Sequence, residues 1–491
     1  MTAHQTAIRE WTADEIRAFG YRVVDIIARH LTELPDRPVF QPVPADLRER
    51  FRDSPLPEEG VPASDVLTEF ERHIEPYPFG NGHPRFFGWV NSPPAVVGVF
   101  ADALAAAMNP SCAGGNHAAV YVEREIIDWF VRLFGFPRGS MGLLVSGGSM
   151  ASLTALAVAR HKKAGFDIRT KGLQHPHPRL LVYKTHEGHG CIQKAVELLG
   201  LGSEGLRIVD HDAEMRMIPA ALEAAINADR AQGHLPMAVV VSAGAVNTGA
   251  IDPIGELATI CARHNVWLHV DGAYGAPAIL SSRYRDRLAA LARCDSLALD
   301  PHKWLYVPVE AGLVLIKDAD AMRATFSLVP PYLRTDGSLT GVGGPPWFSE
   351  YGFQQTRSFR ALKVWMSLKH HGLSGYRAAI EHDLAIADRL ADHVRRTPDL
   401  ELYTPRNLSI VCFRYAPPVL RAETARLNEI NEALLERLQL EGRVFVSSTI
   451  LDDTLWLRAC MINYRTADDD IDALPPLVAT LGAEVTAGKG C

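Results

Sequence analysis

The sequence predicts an α/β protein, with a mostly parallel sheet covered on both faces by helices. A helical segment precedes it and a smaller α/β domain follows. Three observations carry that reading. Between about residues 118 and 318, short apolar runs alternate with helix-length stretches. The runs end at turn-forming or acidic residues, as at Ser146-Gly147-Gly148-Ser149 and Asp271-Gly272. Beyond about 376, helices mix with short strands in a second, smaller unit. The expected divisions are 1–90, 91–375 and 376–491.

Taken in order, residues 10–34 suit an amphipathic helix, because Trp11, Ile16, Phe19, Val23, Ile26, Ile27 and Leu31 share one face. Residues 35–62 are proline-rich and are expected to hold no regular helix. A short helix over 67–74 follows, then a turn-rich loop laden with aromatics from Pro76 to Trp89. The apolar run 95–108 is interrupted by Asp102 and reads as a buried helix, too short for a membrane span. Residues 121–134 are helical, with Val122, Ile126, Trp129, Phe130 and Leu133 on one side.

A strand over 143–145 runs into Ser146-Gly147-Gly148-Ser149, where an alanine-rich helix starts. Further strands are expected at 179–183, 237–241, 266–270 and 312–316, and Pro253 should open a helix capped by Asp252. Residues 330–346 are rich in glycine and proline, lack apolar periodicity and read as a loop. Helices over 359–368, 376–395 and 422–439, with strands over 409–415, 443–447 and 454–460, complete the chain.

Bulk properties narrow the function. The 491 residues are 47% hydrophobic and 22% charged, ordinary for a soluble globular protein. A net charge of −7 argues against a nucleic-acid partner and gives no sign of a membrane surface. Seven scattered cysteines without a Cys-x-x-Cys pair suggest free thiols in a reducing cytoplasm. The N-terminus lacks a signal-peptide pattern. No metal-ligand spacing stands out: His186-Glu187-Gly188-His189 lacks the i, i+4 pair of a helical zinc site.

The residues that carry chemistry lie at predicted strand ends. Asp271 ends the run Trp267-Leu268-His269-Val270, and Lys303 lies in Asp300-Pro301-His302-Lys303-Trp304 beside an apolar stretch. Ligands in such sheets bind at the carboxyl ends of strands. One cofactor needs both groups. Pyridoxal phosphate binds a lysine amine as a Schiff base, and an anion keeps its ring nitrogen protonated. A buried lysine amine is expected to have a lowered pKa. Ser146-Gly147-Gly148-Ser149 before a helix offers N–H groups to a phosphate, or merely turns the chain. His189 is either a flat imidazole over the ring or a loop histidine with structural partners.

These motifs, together with His83-Pro84-Arg85-Phe86-Phe87 and His269-Val270-Asp271-Gly272-Ala273-Tyr274, resemble those of the group II pyridoxal-phosphate amino acid decarboxylases. The resemblance spans roughly residues 10–470. It implies the aspartate-aminotransferase fold (fold type I) and a homodimer with shared active sites. It further implies decarboxylation of an L-amino acid, aromatic in first place. Lys303 would carry the Schiff base, with His302 beside it. Asp271 would pair with the ring nitrogen near Ala273, and His189 would stack on the ring. Gly148, Ser149 and Ser296 would hold the phosphate, and Tyr332 would return a proton to the α-carbon.

The sequence departs from the family in several places. Trp89 stands where a tyrosine is usual. Ser111 and Ala113 replace bulkier apolar residues, Thr356 replaces a Gly or Ser, and Asp300 replaces an asparagine of the animal aromatic enzymes. With Ser92, these substrate-pocket positions leave an aliphatic or acidic substrate open. Aldehyde formation through oxidative deamination is the related alternative, although Tyr332 and His189 both favour plain decarboxylation.

Overall fold

A computed structural model describes residues 10–328, 343 and 347–488. Its central sheet has seven strands: β1 (Met141–Val145), β2 (Leu180–Lys184), β3 (Leu206–Ile208), β4 (Leu235–Ser242), β5 (Trp267–Asp271), β6 (Ser296–Leu299) and β7 (Gly312–Ile316). Their spatial order is β1-β7-β6-β5-β4-β2-β3. Strands β6, β5, β4, β2 and β3 are mutually parallel, whereas β7 runs antiparallel to both β6 and β1. Five strands therefore point their carboxyl ends to the same edge as β1. Every residue of β1, β2, β6 and β7 is buried, as expected of a sheet covered on both faces.

Helices α1 (Ala13–Glu33), α2 (Ala45–Asp53), α3 (Ala63–His73), α4 (Val96–Met108), α5 (Ala118–Leu133) and α6 (Gly148–Lys163) come first in the chain. Thr12 and Glu15 form a reciprocal cap that starts α1. Contrary to expectation, the proline-rich stretch contains α2. Its nine residues carry no proline, and Pro44 precedes them at the cap, where a missing N–H costs nothing. The expected burial of α4 also fails. Only Gly98 and Ala101 are buried, while Val96, Phe100, Leu104 and Met108 are exposed.

Asp252 does not cap the helix Ile254–Arg263, whose cap position is Pro253. It is buried and accepts hydrogen bonds from the backbone N–H groups of Met217 (2.7 Å) and Ser242 (2.6 Å). Burial pushes its carboxyl up to about 6.

The two helices expected around residue 370 are one, Arg360–Arg396, kinked at Gly372 with φ of 61°. Beyond it lies an antiparallel sheet in the order β10-β11-β9-β8, made of β8 (Leu400–Leu402), β9 (Ile410–Tyr415), β10 (Ser447–Leu451) and β11 (Thr454–Cys460). The strand expected at 443–447 begins only at Ser447. Phe445 instead bridges to Phe86 and stacks on its ring at 4.9 Å. Strands β3, β6 and β8 have three or four residues each, too short for a periodic signal.

A candidate cofactor-binding active site

The carboxyl ends of β1, β2, β4, β5 and β6 surround a cavity of about 390 Å³. Gly147, Gly148 and Ser149 enter from the β1–α6 turn, and His189 from the loop after β2. Ser242 ends β4 and residues 244–246 follow it, Asp271 ends β5 and Ala273 follows it, and Asp300, His302 and Lys303 follow β6. Lys303 keeps 24% of its side-chain surface open. Its Nζ lies 2.9 Å from Asp300 Oδ2. Burial opposes the ammonium, but Asp300 and Asp271 outweigh it and raise the lysine pKa. The sequence-based expectation of a lowered value is thereby reversed.

Asp271 is held by the backbone N–H of Ala273, which donates to Oδ1 at 3.1 Å. His189 is pushed toward its neutral form, by burial above all, with Asp271 opposing. The backbone N–H of Cys191 donates to its Nδ1 at 3.1 Å, so the neutral ring carries its proton on Nε2. The Nδ1 of His302 lies 2.8 Å from the carbonyl oxygen of Ala311, which fixes the ring beside Lys303.

The end of the cavity at the β1–α6 turn has the features of an anion site. Helix α6 begins at Gly148 with no side-chain cap, so its first N–H groups are free for an anion. A Cβ at Gly148 would lie 3.0 Å from both Ala273 Cβ and Asp300 Oδ2, so only glycine leaves that space open. A lysine, a strand-end acid, a flat neutral imidazole and an uncapped helix start thus surround one cavity. They fit pyridoxal phosphate.

Several expected residues are elsewhere. The Oγ of Ser296 is buried in the core behind Asp271, where Trp267 Nε1 donates to it at 2.8 Å and His269 Nδ1 lies at 2.9 Å. It opens β6, whereas the cavity lies beyond that strand's far end. Ser296 therefore cannot hold the phosphate. Ser92 is buried and donates to the backbone oxygen of His302 at 3.2 Å, bracing the Lys303 loop without lining the cavity. Ser111, Ala113 and Thr356 do not line it either.

Those last three flank a buried ion pair: Arg357 binds Glu123 and donates to the carbonyls of Cys112 and Leu144. Trp89 does reach the cavity wall. Tyr332 lies outside the described residues. Two further residues of the wall, Cys191 and Tyr274, were missed. Tyr274 stacks on Trp304 at 5.1 Å and its hydroxyl is 2.6 Å from Ser409 Oγ. Its place directly after Asp271-Gly272-Ala273 was the available signal.

Fold and site together define a pyridoxal-phosphate enzyme of fold type I. The chain belongs to the pyridoxal-dependent decarboxylases: the family's conserved-domain model matches residues 44–416. It is similar to an aromatic-L-amino-acid decarboxylase of Bacillus atrophaeus, with 37% identity covering 98% of each chain. Among solved structures it resembles Oryza sativa TDC with PLP and tryptamine, with a TM-score of 0.88 and 26% identity over 97% of this chain and 99% of that one. Mouse CSAD is equally alike, with a TM-score of 0.89 and 26% identity over 96% and 99%. The protein is a pyridoxal-phosphate-dependent amino acid decarboxylase.

Proposed function

We propose that this enzyme decarboxylates an aromatic L-amino acid to its amine. The observation that carries the substrate class is the aromatic wall at the cavity. Trp89 lines it with 49% of its surface exposed, and Phe79 stacks on the indole at 4.8 Å and 16°. Trp89 holds a left-handed backbone (φ 47°), rare for a bulky residue. Arg458 fixes that conformation by donating to its carbonyl at 2.7 Å. Such fixed aromatic surface pairs well with a planar ring.

When bound, pyridoxal phosphate supplies the electron sink for the bonding pair left as carbon dioxide departs. Lys303 provides the amine that anchors it, and Asp271 provides the anion that keeps its ring nitrogen protonated. His189 offers a flat neutral face within the same cavity. Gly148, Ser149 and His302 take the phosphate end. Tyr332 returns a proton to the substrate α-carbon, a step worth roughly 10²–10⁴-fold in rate for a well-placed acid.

The working unit is proposed to be a cytoplasmic homodimer. Large exposed apolar side chains crowd the first part of the chain, among them Ile16, Tyr21, Val66, Phe70, Ile74 and Phe100. An apolar groove of about 690 Å³ runs between α1, α3 and residues 77–82. Exposed apolar surface on this scale marks an interaction face. In a dimer, Ser111, Ala113 and Thr356 would be free to approach the other subunit's cavity. The cysteines of the described residues are all unpaired and buried, which suits a reducing compartment, and no described helix is long and apolar enough to cross a membrane.

A carbon dioxide release assay across the twenty common amino acids, dihydroxyphenylalanine and 5-hydroxytryptophan tests the reading, with Lys303→Ala as blank. Aromatic substrates should turn over fastest and the variant should be inert. Fastest turnover of an acidic or aliphatic amino acid would remove the aromatic assignment. Aldehyde and peroxide as main products would replace plain decarboxylation by oxidative deamination.

A further inference from the structure

Asp300 is a carboxylate where the cofactor's own anion belongs. Its side chain is 2% exposed. One oxygen, Oδ2, is paired with Lys303 Nζ at 2.9 Å. The same oxygen lies 3.0 Å from the position a Cβ would take on Gly148, at the uncapped start of α6. The other oxygen, Oδ1, is buried and accepts no hydrogen bond. The carboxylate thus stands at the positive end of the helix dipole with half of its bonding capacity unused. The cost of such an orphaned buried oxygen is sustained by its single cation, Lys303.

That balance fails when the cofactor arrives. Lys303 gives up its ammonium to form the imine bond, and a phosphate brings new anionic oxygens to the same helix start. Two anionic oxygens cannot hydrogen-bond to each other unless one of them carries a proton. The other charged or titratable groups near Asp300 do not supply it. His302, on the same loop, has its Nε2 3.7 Å away and is pushed toward its neutral form by burial. His189 is likewise driven neutral, and the Cys191 thiol is raised to about 11 by burial. Asp271 adds a further negative charge, while Lys184 and Lys363 act only at longer range on His189 and His302.

We propose that Asp300 makes cofactor binding proton-coupled: the proton that Lys303 sheds is kept in the site and held between the Asp300 carboxylate and a phosphate oxygen. Joining the Lys303 nitrogen to the cofactor's aldehyde carbon releases one water and sheds one ammonium proton. That proton passes to the adjacent Asp300 carboxylate, 2.9 Å from Nζ, and the hydrogen bond so formed to the phosphate gives Asp300 its missing partner. Asparagine at this position would donate an N–H without any proton being taken up. Relative to a chain with asparagine here, this one therefore retains its cofactor better as pH falls and less well as pH rises. The inference rests on the proposed seating of the phosphate at Gly148 and Ser149.

Calorimetric titration of the full-length, cofactor-free chain with pyridoxal phosphate tests it. Runs near about pH 7.5 in two buffers of different ionisation enthalpy count the protons exchanged. The wild type should end with about one proton more per site than Asp300→Asn, since the proton shed by Lys303 is kept in the wild type and lost to solvent in the variant. Between about pH 6.5 and 8.5, log Kd of the wild type should rise about one unit more steeply per pH unit than that of the variant. Asp300→Ser, which removes the carboxylate without restoring a side-chain amide, should match the asparagine variant in proton count. Equal counts in wild type and both variants would overturn the proposal while leaving the site assignment intact. No saturable binding by the wild type would remove the site assignment and the proposal together.

Discussion

The chemistry around Lys303 is set by residues on either side of it in the chain. Asp300 pairs with its ammonium, and Trp304 and Tyr306 anchor the loop from behind. Trp304 Nε1 and the Tyr306 hydroxyl both donate to Asp383 Oδ2, at 2.8 and 2.6 Å. Burial, partly offset by these donors, pushes the Asp383 carboxyl up to about 7, against roughly 4 in an unfolded chain. Between those values the folded state keeps a proton that the unfolded state has lost. Its contribution to stability is full below about pH 4 and falls as pH rises toward 7. Asp383→Asn should flatten that part of the melting-temperature profile in a thermal scan from about pH 4 to 8. An unchanged slope would assign the dependence elsewhere, to other acids that burial raises such as Asp252, Asp295 and Glu187.

Among the elements, β7 decides the shape of the turn at Gly147 that opens α6. It pairs antiparallel with β1, placing Gly312 opposite Val145. A Cβ on Gly312 would lie 2.4–2.6 Å from the backbone of Gly147, inside any tolerable contact. Gly312→Ala therefore has to push β7 away from the turn that opens α6. The expected cost is about 1–3 kcal/mol of stability, typical of overpacking, with weakened retention of pyridoxal phosphate. Denaturant unfolding and absorbance of the bound cofactor after gel filtration report the two effects. A variant as stable and as yellow as the wild type would show that the turn adapts. The Lys303 loop has a comparable brace in Ser92, which holds the His302 carbonyl.

For the molecule as a whole, the exposed apolar faces of α1, α3 and α4 are the unbalanced feature. Single scattered apolar residues are ordinary on a surface, whereas a groove of about 690 Å³ lined by Val23, Ile27, Leu31, Leu67, Phe70 and Ile74 is not. Association of two chains through this region would cover it. Sedimentation equilibrium should therefore give a mass near twice the 53.9 kDa of one chain. An active sample at the mass of one chain would refute the dimer. The interior is continuous across the two sheets: Tyr274, beyond β5, hydrogen-bonds Ser409 just before β9, and Asp383 accepts from the backbone of Asn463 at 3.3 Å. The second sheet and the segments around the cavity are thus mechanically joined.

The alternation of apolar strands and helices, and the motifs at strand ends, were legible because both are local: they need only a few adjacent residues. Lys303, Asp271, Gly148 and His189 could be picked out in this way, and with them the cofactor. Tertiary structure alone decided what lies between segments far apart in sequence. The family resemblance assigned Ser296 to the phosphate, yet its hydroxyl lies in the core against Trp267 and His269. Asp300 was visible as a departure from the family and sits three residues from Lys303, but its closeness to Gly148 arises from the β6 and β1 ends converging on one edge. The sign of the Lys303 pKa shift needed the distances to Asp300 and to Asp271, the latter brought alongside from the end of β5. Burial can be guessed from neighbours in sequence, whereas a Coulomb interaction depends on a distance that only the folded chain sets.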